Sequence, residues 1–117
     1  MITSAPEFGD IYGADPMVLP GGDAHDAKRR VAALQPVIGL PSWRVIGRTT
    51  STPPKGVPHI KSDIEMSCNL DRPGWWSIRY LHTVELRHLG NPAACPHYGR
   101  LPEEPKKELQ EYWHTHG

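Results

Sequence analysis

Ile64, Met66, Cys68 and Leu70 alternate with Glu65, Ser67, Asn69 and Asp71; after a break, Trp76, Ile78, Tyr80, His82, Val84 and Leu86 alternate with Ser77, Arg79, Thr83, Glu85 and Arg87. A period of two is the signature of strands with one buried face. A side chain cannot change face without a register slip, so the two apolar sets must oppose each other. This predicts the pairs Leu70–Trp76, Cys68–Ile78, Met66–Tyr80 and Ile64–His82. Asp71 to Trp75 then form the connection, with Pro73 and Gly74 supplying the turn chemistry. Only Leu81 breaks the polar face of this hairpin.

The remaining patterns are shorter. Asp23 is a good N-cap and Asp26 lies near the positive end of a helix dipole, and AHDAKRRVAAL runs without a breaker to Pro36, which predicts a helix over 24–35. Its apolar stripe is Ala27, Val31 and Leu34. The run WRVIGRTTS from Trp43 is rich in β-branched residues and predicts a strand with Gly47 as a bulge. Prolines exclude 51–59 from any central strand and make it a surface loop. The end, PKKELQEYWHTH, predicts a short helix over about 105–115, with Pro105 in the first turn and Leu109, Tyr112 and Trp113 on one side. These elements define an α+β fold: a small antiparallel sheet of three to five strands on a long hairpin (62–70 with 76–88), an N-terminal helix and a C-terminal helix.

Residues 1–22 show neither period, yet they carry Phe8, Ile11, Tyr12, Met17, Val18 and Leu19. A purely solvated tail would be depleted in such residues, so the segment is expected to be an extended docking arm lying on another surface, ahead of one α+β domain over 23–117. Trp75, outside the buried alternation of the hairpin, joins those six as an expected partner-binding residue.

A chain of 117 residues supports one modest core. Its 13 lysines and arginines balance its 13 aspartates and glutamates, so charge disfavours nucleic acid, and no apolar run is long enough for membrane insertion. The N-terminus lacks the basic start and apolar run of a signal peptide, giving the expectation of an intracellular protein or one held within a virion or complex. With 13 prolines, much of the backbone must be irregular.

Seven histidines and two cysteines raise the question of a metal. His82 and His88 share a face but stand six residues apart, about 20 Å along a straight strand at ~3.3 Å per residue, too far for one ion. Cys68, paired with Ile78, lies some ten residues or ~33 Å along the strand from His88, whereas the seven residues from His88 to Cys95 span at most ~25 Å, so the two thiols are expected to be unbonded. The compact remainder, His88, Cys95 and His97, is the candidate for a small, possibly zinc-binding site, although it lacks paired Cys-x-x-Cys spacing. Cys95 and His97 also place a thiol near a base, but no cysteine-enzyme signature surrounds them. No catalytic residue and no cofactor is assigned.

The arm, the proline loop and the irregular 89–105 connector therefore direct the functional expectation toward a non-catalytic accessory or structural subunit of a larger assembly, with a protein partner or a homo-oligomer. A metal-binding domain and a small inhibitor or regulator of a partner are the other readings.

Overall fold

A computed structural model describes residues 5–15 and 29–117. Within them the chain forms β1 (Asp10–Ala14), β2 (Arg29–Pro36), β3 (Ser42–Thr49), β4 (Ile60–Ser62), β5 (Gly74–Glu85), β6 (His97–Arg100) and α1 (Glu103–His116). The strands make one antiparallel sheet in the order β4-β5-β3-β2-β1-β6. The sheet curls into half a barrel, so β6 at one edge meets the 3-10 turn Met66–Cys68 that follows the other edge. Gly99 permits that approach: its φ is +137°, and a Cβ there would stand 2.9 Å from the Ser67 carbonyl oxygen.

Two cores lie on opposite faces of the sheet. Adjacent residues alternate between them, so Ile11, Ala32, Leu34 and Ile46 join Leu70, Trp76 and Leu101 on one side, where Leu109 and Tyr112 of α1 cover the sheet. Tyr12, Val31, Ala33 and Val45 join Val84, Leu89 and Cys95 on the other. The central strands β1 and β2 are therefore apolar on both faces. A strand buried on both faces reads as an unbroken apolar run.

That arrangement overturns the expected N-terminal helix. The described part of 24–35 is β2, hydrogen-bonded between β1 and β3; residues 24–28 lie outside the described residues. Within the segment expected to be a docking arm, Asp10–Ala14 is an interior strand of the domain's own sheet. Residues 1–4 and 16–22 of that arm lie outside the described residues.

The long hairpin is also reassigned. β5 is a long strand, as the alternation predicts, but its main partner is β3, and β4 is only three residues long, with Ile60 opposite Trp76. Residues 66–68 form the 3-10 turn, Asn69 takes a left-handed conformation (φ 64°), and a lone bridge joins Glu65 to Leu70. Ile64 and Met66 consequently face solvent, as does Leu86, while Cys68 and Leu70 are buried. The irregularity lies across from the bulge expected at Gly47: Ile46 pairs with Leu81 and Arg48 with Trp76, so the extra residues are in β5, while Gly47 keeps its regular pairing with Val31. Trp76 precedes this insertion and Ile78 lies within it, both on the α1 side, whereas Val84 follows it on the opposite face. Ser77, expected outward, is fully buried and donates to the Pro58 carbonyl at 2.7 Å.

The C-terminal helix forms as the sequence predicts and slightly longer. Glu103 and Glu104 occupy its first turn and His114 and His116 its last, each sign placed to favour the helix dipole. Its Tyr112 hydroxyl accepts the Ile78 N–H at 3.1 Å, tying the helix to the bulged stretch of β5.

Candidate functional site

The β2–β3 connection, Pro36-Val37-Ile38-Gly39-Leu40-Pro41, is short and braced. Val37 N–H donates to the Ser42 carbonyl at 2.9 Å, and Leu40 N–H reaches the Val37 carbonyl at 3.3 Å. Gly39 has φ +82°, the left-handed conformation that the third position of such a turn requires and that a side chain resists. The Leu86 N–H donates to the Pro41 carbonyl at 2.8 Å, fastening the turn to the end of β5. On this rigid frame Ile38 is 99 % exposed, Leu40 61 % and Leu86 41 %. Isolated exposed apolar residues are ordinary; here two stand on one braced turn and a third on the segment hydrogen-bonded to it.

Beside this projection lies an open groove of about 460 Å³ between the end of β2 and the end of α1. Leu34 forms a buried part of its lining, the half-buried rings of Phe8 and Trp113 stand in its walls, and Gln35, Gln110 and His114 supply polar edges. Trp113 Nε1–H donates to Gln35 Oε1 at 3.2 Å, which fixes the indole relative to the strand. Gln35 precedes Pro36 directly, so groove and projection occupy the same end of the sheet.

The expected partner-binding residues divide. Phe8 is half-buried in the groove. Ile11 and Tyr12 are buried within β1, one in each core. Met17, Val18 and Leu19 lie outside the described residues. Trp75 sits on β5 opposite Lys61, whose ammonium stands 4.2 Å from the ring centroid, so a face of the indole is already taken.

The candidate metal ligands are not assembled. His88 Nε2 lies 3.4 Å from Glu85 Oε2, and His97 Nε2 lies 3.3 Å from Asp10 Oδ1, while Cys95 is fully buried in the core opposite α1. Among the described residues no three His, Cys, Asp or Glu side chains are placed to hold one ion. Asp10 is the centre of a different cluster: Arg100 bridges it and Glu7, at 2.9 and 2.7 Å, and secures edge strand β6 to β1. Burial and the Asp10 charge push the Tyr12 hydroxyl well above the usual phenol range. Both cysteines are free and fully buried, and desolvation with the neighbouring Glu65 raises the Cys68 thiol. Buried thiols with raised pKa values are poor nucleophiles.

Ile38, Leu40 and the groove were missed from sequence. The available signal was VIGL between Pro36 and Pro41, an apolar segment too short and too tightly bounded by prolines to be a strand interior.

Fold and site together define a small curled-sheet domain presenting a rigid apolar turn next to an aromatic-walled groove. No protein-family model and no curated protein matches the chain.

Proposed function

We propose that this chain is a non-catalytic accessory or structural component of a larger assembly and works through protein–protein contacts made by the β2–β3 turn. The observation that carries the proposal is the exposure of Ile38, Leu40 and Leu86 on a projection already rigid in the free chain. Burying a leucine or isoleucine gains about 1.5–3 kcal/mol, and a rigid turn loses little conformational entropy when it docks. The buried state of both thiols and the separate placement of His88 and His97, each beside a different carboxylate, further support contact over catalysis.

A photo-crosslinking residue at position 38, compared with one at the exposed Lys55 on the proline loop, tests this in cells that express the protein. A discrete protein adduct specific to position 38 is expected. Equal labelling at both positions, or none, refutes the docking role of the turn.

A further inference from the structure

We draw no further inference here: the strongest candidate, the small pocket between edge strand β4 and α1 that Asp63, Glu65 and Glu108 edge, is a cluster of carboxylates above the almost fully buried Trp76 and Leu109, and nothing in the structure shows what fills it.

Discussion

Replacing Arg48, a residue only 7 % exposed, with methionine keeps most of the aliphatic stem and removes the guanidinium. Its Nε donates to Ser62 Oγ at 2.9 Å, and one terminal nitrogen reaches the carbonyls of Ser62, Asp63 and Arg72 at 2.8, 3.2 and 2.7 Å. Those acceptors belong to β4 and the segment after it, which contributes little regular structure of its own, so Arg48 pins this whole edge to β3. Hydrogen bonds to a charged group are worth about 1.5–3 kcal/mol each, but water replaces the donors at the partly exposed sites and the guanidinium no longer has to be desolvated. The desolvation cost is real, since burial lowers the Arg48 pKa. The expected net loss is about 2–4 kcal/mol, a large share of the ~5–15 kcal/mol typical of a domain. Urea unfolding should shift by about 1–2 M at an ordinary slope for this size. Hydrogen exchange should accelerate first over 60–72, and Arg48→Lys, lacking the planar fork, should recover less than half the loss. A loss under about 1 kcal/mol with exchange over 60–72 unchanged would refute the reasoning.

Four further outcomes follow from particular contacts. Gly47→Val places a Cβ 2.9 Å from that of Tyr80 at the bulge and should cost about 1–3 kcal/mol by chemical denaturation. Tyr112→Phe leaves the Ile78 N–H without its acceptor and should cost about 1 kcal/mol in the same assay. Thiol titration should find no reactive sulfhydryl in the native protein and two after denaturation. On the alkaline side, the Cys68 thiol and the Tyr12 hydroxyl both have raised pKa values, so the unfolded chain releases their protons first and stability falls as pH rises. The decline should begin near the ordinary thiol pKa of about 8.5 and steepen near about 10; Cys68→Ala should flatten the early part and Tyr12→Phe the later part.

What could be read from the chain depended on how many faces of a strand are covered. β5 was legible because its alternation persists over most of its length, and α1 because its acidic start and apolar side agree. β2 was not. Val31, Ala32, Ala33 and Leu34 are all buried, so the strand has no polar face to alternate with. A short continuous apolar run cannot be told from a buried helix by period alone, and here the capping pattern of Asp23 and Asp26 and the absence of a breaker before Pro36 pointed to helix. β1 was hidden for the same reason, and the groove could not be seen because Phe8, Leu34 and Trp113 come from three distant segments.

Leu81 shows how the hairpin error arose. It was the one residue that violated the alternation, and a strand that keeps its register has no place for an apolar side chain there. The bulge opposite Gly47 gives it one: Leu81 pairs with Ile46 and packs on the α1 side, while His82 and Val84 pass to the other face opposite Val45 and Trp43. Once the face changes within β5, no straight partner can match both halves, and the alternation at 64–70 loses its claim to be that partner. The strand instead pairs with β3, whose Gly47 stands opposite the bulge, and 64–70 forms the turn that meets β6. With Ile11 and Tyr12 inside the sheet, the most exposed of the large apolar side chains among the described residues is Ile38, which is why the proposed contact falls on the β2–β3 turn and not on an extended arm.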